Sequence, residues 1–258
     1  MAPQVWLITG TTSGFGAAFV HSLLARGDKV IATARNLSKI SNLKQAGAST
    51  LQLDVTSSPA ELEKTAKEAI AIHGKIDVLF NTNTFGAINV SRAFLPHFRT
   101  NRAGTIVFIG SAAALCGMPI LSLYCASKWA LTGAAESLIE EVKDFGIRTL
   151  VVQPGFFRTE LLNTNNTTYI NTDIGDYKSV IDEKYAMFKG YDGLQPGDPQ
   201  KAVERVVDTV KGEGLAKGKA LPPTLYLGGD VIAQARKRFE DQLALIKEWE
   251  EVGSGLDH

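Results

Sequence analysis

Residues 8–19 read ITGTTSGFGAAF, and the reading of this stretch decides the fold. The run QVWLIT that leads into it, Gln4 to Thr9, is short and apolar, as a buried strand is, and the residues from Gly14 onward have helical spacing. Between strand and helix lie Gly10, Gly14 and Gly16, spaced G-x-x-x-G-x-G. Glycine permits the tight turn and lets backbone N–H groups approach a pyrophosphate with no Cβ in the way. A helix that starts near Gly14 points its positive end at the same place. A glycine-rich turn alone is often only a tight loop; placed after the first strand of a strand–helix array, it predicts nucleotide binding.

That array continues along the whole chain. After QVWLIT, the runs KVIATA, TLQL, IDVLF, GTIVFIG, IRTLVV and TLYLG read as strands, apolar on both faces, as a parallel sheet covered on both sides requires. Helical segments lie near 14–26, 38–46, 59–73, 83–99, 123–144, 199–211 and 229–250. The third is sharply punctuated, with Ser58 as N-cap, Pro59 in the first turn, Glu61 closing a capping box and Gly74 after the last turn. The alternation predicts a doubly wound, Rossmann-like α/β fold with a parallel seven-stranded sheet, and a single domain over residues 1–258.

Composition narrows the function classes. Hydrophobic residues make up 45% and charged residues 21% of the 258, ordinary for a soluble globular protein. The 27 basic residues balance 27 acidic ones, so no basic surplus favours nucleic acid. No apolar run approaches a membrane span, and the N-terminus lacks a basic n-region, which predicts a cytoplasmic protein without a signal peptide. Cys116 and Cys125, the only cysteines, read as free thiols, and the four scattered histidines offer no metal site. The sequons at Asn36, Asn89 and Asn165 read as accidental in such a chain.

At the end of the second strand stands TARN. A cofactor without a 2′-phosphate favours an acidic residue there, whereas Arg35 suits the phosphate, so NADP is expected over NAD; the competing reading is a solvated surface arginine. Asp54, after the third strand, either accepts from an adenine amino group or closes a strand-end turn. Ser111 follows the fifth strand at the carboxyl end of the sheet, where such folds bind ligands. In YCASK, Tyr124 and Lys128 are four apart on one helical face. A phenol of pKa near about 10 is a poor base, and bringing it to ~7 costs roughly 4 kcal/mol, much of which a neighbouring ammonium can supply. Such a pair alone is usually surface decoration; the upstream serine and glycine turn give it meaning.

At this point the chain resembles the classical short-chain dehydrogenases/reductases, through TGTTSGFG (9–16), Asp54, Ser111, YCASK (124–128), PGFFRT (154–159) and LYLGGD (225–230). The resemblance implies that Tyr124 is the acid/base that protonates a carbonyl oxygen, that Ser111 holds that oxygen, and that Lys128 lowers the Tyr124 pKa and holds the nicotinamide ribose. It implies Asn83, in NTFG, as a fourth catalytic residue that anchors a water. For the cofactor it implies Thr12, Ser13 and Phe15 beside the three glycines, Val55 beside Asp54, Asn81 after the fourth strand, and Pro154, Gly155, Phe157 and Thr159 along the nicotinamide.

One departure stands out. The family's fourth strand is followed by N-N-A-G, a loop and the first part of a long helix; here Asn81, Thr82 and Asn83 are consecutive, and TFGAINVSRAFLP resumes the pattern at once. This reads as a clean excision at the rim of the sheet, which a tight turn can close, leaving a foldable protein with weakened cofactor affinity. Between Thr159 and Pro199 the chain gathers Tyr169, Tyr177, Tyr185, Met187, Phe188 and Tyr191. Either they form a lid over an apolar ketone or alcohol, or they merely pin a long loop to the body. Small residues Ala126, Ala130, Gly133 and Ala134 would let another helix approach, and family members pair there as homodimers or homotetramers. The sequence therefore predicts an NADP-dependent oxidoreductase acting on a carbonyl or secondary alcohol; the alternative is a non-catalytic nucleotide-binding relative or a truncated form of an active enzyme.

Overall fold

Strand β1, Val5–Ile8, is fully buried, and its side chains alternate between two separate cores: Trp6 and Ile8 face one, Val5 and Leu7 the other. The same alternation runs through β2 (Lys29–Ala34), β4 (Val78–Asn81), β5 (Gly104–Ile109) and β6 (Ile147–Pro154), with β3 (Ser49–Gln52) and β7 (Thr224–Leu227) at the edges. All seven strands pair in parallel, in the order β3-β2-β1-β4-β5-β6-β7. This computed structural model describes residues 2–82, 84–164 and 166–256.

Helices cover both faces because each strand is apolar on both. On one side, α1 (Gly14–Ala25), α2 (Ser41–Gln45) and α7 (Pro199–Lys211) supply Phe19, Leu43, Val203 and Val207 to the first core. On the other, α3 (Pro59–His73), α4 (Thr84–Asn101) and α5 (Ser122–Val142) supply Leu62, Phe94, Phe98 and Leu131 to the second. The α3 punctuation is as expected: Ser58 accepts from the Glu61 backbone N–H, the Glu61 carboxylate accepts from the Ser58 N–H, and Gly74 ends the helix at φ +80°.

Two more helices complete the fold: α6 (Gly175–Tyr191) and the long C-terminal α8 (Gly229–Gly253). The sequence reading assigned no element to the α6 region. Its start carries no side-chain cap and only Phe188 is buried, so neither punctuation nor an apolar stripe announces it. Strand order reverses between β1 and β4, and there the carboxyl ends of the strands open a crevice.

The excision does not disturb the sheet. Strand β4 keeps its ladders, pairing Trp6 with Val78 on one side and Asn81 with Phe108 on the other. Helix α4 begins at Thr84, three residues past the end of β4 at Asn81; of the two residues between, Asn83 lies outside the described residues.

Candidate active site

The turn after β1 is shaped by close backbone approach. Gly10 and Gly14 adopt φ +70° and +56°, where side chains strain the backbone, and a Cβ on Gly16 would lie 2.2 Å from the Gly10 carbonyl oxygen. Thr11 ties the turn to β2 by donating to the Thr33 carbonyl at 2.9 Å. The turn therefore presents bare backbone and the N-terminus of the twelve-residue α1, with Ser13 as N-cap. An anionic pyrophosphate fits such a cradle.

Two cavities flank this turn. The larger, about 700 Å³, is lined by Gly10, Ser13, Gly14, Phe15, Gly16, Ser111, Tyr124, Lys128, Pro154, Gly155, Phe157 and Thr159, all named from the sequence. The smaller, about 660 Å³, collects Thr12, Arg35, Asp54 and Val55. Asn81 lines neither. It is fully buried, and its side-chain amide donates to Ser91 on α4 at 3.1 Å. Asn83, the expected fourth catalytic residue, lies outside the described residues.

In the larger cavity Ser111 caps a short 3₁₀ turn, its hydroxyl accepting from the Ala113 N–H at 3.1 Å, and Tyr124 lines the same cavity. Lys128 reaches in from the next turn of α5. Its ammonium donates to the carbonyls of Ile109 (2.9 Å) and Thr82 (3.3 Å) and lies 5.9 Å from the centre of the Tyr124 ring. Burial lowers the Lys128 pKa to about 8. The Tyr124 pKa is not lowered, as the resemblance implied, but raised. Burial of the phenol is the largest cause, and the Ser111 hydroxyl only partly offsets it. Lys128 gives its ammonium to two carbonyls, and Tyr124, 38% exposed, stands at the mouth of the cavity.

In the smaller cavity Asp54 takes the turn role while forming part of the wall. Its Oδ1 accepts from the Thr56 N–H and hydroxyl at 2.9 and 2.7 Å, and these bonds, followed by the nearby Arg35 charge, hold its pKa below the usual carboxylate value. Lys39 joins Arg35 on the wall. Sequence reading passed over Lys39, although it stands four residues after Arg35 in RNLSK. Asp230 was also missed. From the first turn of α8 it accepts from the Phe156 N–H at 2.7 Å and presses on Gly155, where a Cβ would lie 2.2 Å from its Oδ1. Its position in LYLGGD, just past the last strand, was the available signal.

The aromatic segment after Thr159 takes its second reading. Tyr169 donates to the Leu162 carbonyl, Tyr185 both accepts from Ile170 N–H and donates to its carbonyl, and the two rings meet edge to face. Tyr191 packs against Phe156. None of the six lidlike residues lines the large cavity, whose apolar wall is instead Phe85, Phe156, Leu161 and Leu162. Among the described residues no cluster could hold a metal, and no helix is long and apolar enough to cross a membrane.

The short chain dehydrogenase family pattern matches residues 4–82 and 79–170. The chain belongs to the short-chain dehydrogenase family. The two matched stretches of this short-chain dehydrogenase meet at residues 79–82, the shortened join. A curated relative, oxidoreductase BOA17 of Botryotinia fuckeliana, is 29% identical over 96% of this chain and 97% of its own. That alignment extends over 276 positions, more than this chain's 258 residues, so part of the relative has no counterpart here. A solved short-chain dehydrogenase from Streptomyces avermitilis is 31% identical, covers 100% of both chains and superposes with a TM-score of 0.85. A second, from Burkholderia phymatum in complex with NAD, is 20% identical over 94% of this chain and 95% of its own, with a TM-score of 0.74, and so shares the fold.

Proposed function

We propose that this short-chain dehydrogenase is an NADP-dependent oxidoreductase that moves a hydride between the nicotinamide and an apolar carbonyl or secondary alcohol. One observation carries the reading: Ser111, Tyr124 and Lys128 line the cavity that the glycine turn joins to Arg35 and Lys39. The bare turn at Gly10 and Gly16 fits a pyrophosphate, and two cations on the smaller cavity fit a 2′-phosphate. Bound NADPH would supply the hydride. The chain's own residues do the rest. Ser111 holds the substrate oxygen near the phenol, and Tyr124, protonated in the free protein, donates its proton to that oxygen. The Lys128 ammonium stabilises the tyrosinate left behind, and Tyr124 regains a proton from solvent at the mouth. Phe85, Phe156, Leu161 and Leu162 favour an apolar substrate.

The shortened join favours a second reading, a nucleotide-binding relative without turnover or a truncated form of an active enzyme. The deciding experiment measures NADPH oxidation against a panel of ketones and aldehydes for the wild type and Tyr124→Phe. A turnover that depends on the phenol supports the enzyme; equal residual rates support the binding reading.

A further inference from the structure

Among the described residues, the two cavities share only Gly10 and Thr82 in their linings. A ligand with one half among Arg35, Lys39 and Asp54 and the other beside Tyr124 must cross at this pair. Thr82 leans directly over Gly10: a Cβ placed on that glycine would meet Thr82 Oγ1 at 2.8 Å, Cγ2 at 3.5 Å and Cβ at 3.6 Å. The residue has little freedom to withdraw. Its carbonyl accepts from Lys128 at 3.3 Å, Asn81 before it is buried and bonded to Ser91, and Thr84 beyond it donates to the Ser127 carbonyl at 2.8 Å. The crossing is thus narrowed by a branched side chain on a fixed backbone, a result of joining β4 to α4 with almost no intervening chain.

Resting on the NADP reading above, we propose that Thr82 is the residue that sets how well a dinucleotide is held, acting as a steric waist between the two cavities. The adenosine half binds without hindrance, and the linkage to the nicotinamide half is crowded. Two tethered groups bind far more tightly than either alone only when the linkage lets both seat together. The residue acts by shape, so its methyl group matters and its hydroxyl does not.

The experiment titrates wild type, Thr82→Ala and Thr82→Val with NADPH and with adenosine 2′,5′-bisphosphate by calorimetry. Thr82→Ala is expected to bind NADPH about 10-fold more tightly than wild type. Thr82→Val, equal in bulk but without a hydroxyl, should stay within about 2-fold of wild type, and all three proteins should bind the bisphosphate alike. Unchanged or weaker NADPH binding by Thr82→Ala, or a gain of the same size in Thr82→Val, overturns the waist. A wild type that binds neither ligand overturns the NADP reading itself, and the waist with it. A bisphosphate that binds while NADPH ignores Thr82 overturns the waist alone.

Discussion

Replacing Lys128 by methionine tests the physical basis of the site most directly. In the folded protein this lysine is 8% exposed, and burial brings its pKa to about 8 from an ordinary 10.5. The unfolded chain therefore holds more protons than the folded one between those two values, so this group makes the fold more stable as pH rises through that window. Burying Lys128 costs about 3 kcal/mol at pH 7, where it stays mostly charged in the fold, and about 1 kcal/mol at pH 10, where it is buried as the neutral amine, at ~1.4 kcal/mol per pKa unit. Lys128→Met has no such dependence. It also leaves the carbonyls of Ile109 and Thr82 without their donor, an ammonium at pH 7 and a neutral amine, still able to donate, at pH 10. The informative quantity is thus the change in the gap between variant and wild type. Urea unfolding of both proteins at pH 7 and pH 10 measures it. The gap is expected to move by about 2 kcal/mol in favour of the wild type on going to pH 10. A movement below about 0.5 kcal/mol would show that burial does not penalise the ammonium, and the electrostatic account of the Tyr124–Lys128 pair would fail with it.

Tyr124→Phe should lower the rate of NADPH-dependent carbonyl reduction by about 10²- to 10⁴-fold while leaving NADPH binding within a factor of about two, checked by steady-state kinetics beside calorimetry. Arg35→Ala should weaken NADPH about 10- to 100-fold and leave NADH nearly unchanged, since only the 2′-phosphate loses a charge-assisted partner; equal losses for both nucleotides would reassign Arg35 to the surface. Asp230→Ala should destabilise the fold by about 0.5–1.5 kcal/mol in urea, because the exposed Phe156 N–H loses its carboxylate acceptor; a change near zero would mean the turn holds its own shape.

The strands were legible because each is a short apolar run, and a parallel sheet demands apolar character on both faces. The glycine turn, Ser111 and the Tyr124–Lys128 pair were legible because their chemistry needs those residue types at fixed chain spacings. Asn81 was misjudged, although strand parity held the answer. Phe80 faces the first core and Leu79 the second, so residue 81 turns with Leu79 toward α4, where Ser91 receives its amide. Lys39 lines the smaller cavity one short turn after Arg35, and Asp230 reaches Gly155 and Phe156 only because the chain folds back from β7. The Tyr124 surroundings were legible only in part: spacing puts Lys128 beside the ring, but only the packed structure shows its ammonium bonded to the carbonyls of Ile109 and Thr82, with desolvation raising the phenol's pKa.

The shortened join is more than a tolerated defect, because the described residues at it, Asn81, Thr82 and Thr84, are fastened to different parts of the structure. Asn81 is tied to α4 through Ser91, Thr82 to Lys128, and Thr84 to the Ser127 carbonyl at 2.8 Å. Ser127 stands between Tyr124 and Lys128 on α5, so the first turn of α4 is bonded to the helix segment that carries both of them. Gly86, one turn into α4, packs so closely on Val55 that a Cβ there would lie 2.4 Å from it, which fixes the same helix against the wall of the smaller cavity. One short connection therefore sets the position of α4 relative to both cavities at once. A longer connection could let the helix and the strand end adjust separately. Here they cannot, and whatever geometry the join imposes on Thr82 is passed both to the passage between the two cavities at Gly10 and to the Lys128 ammonium beside Tyr124.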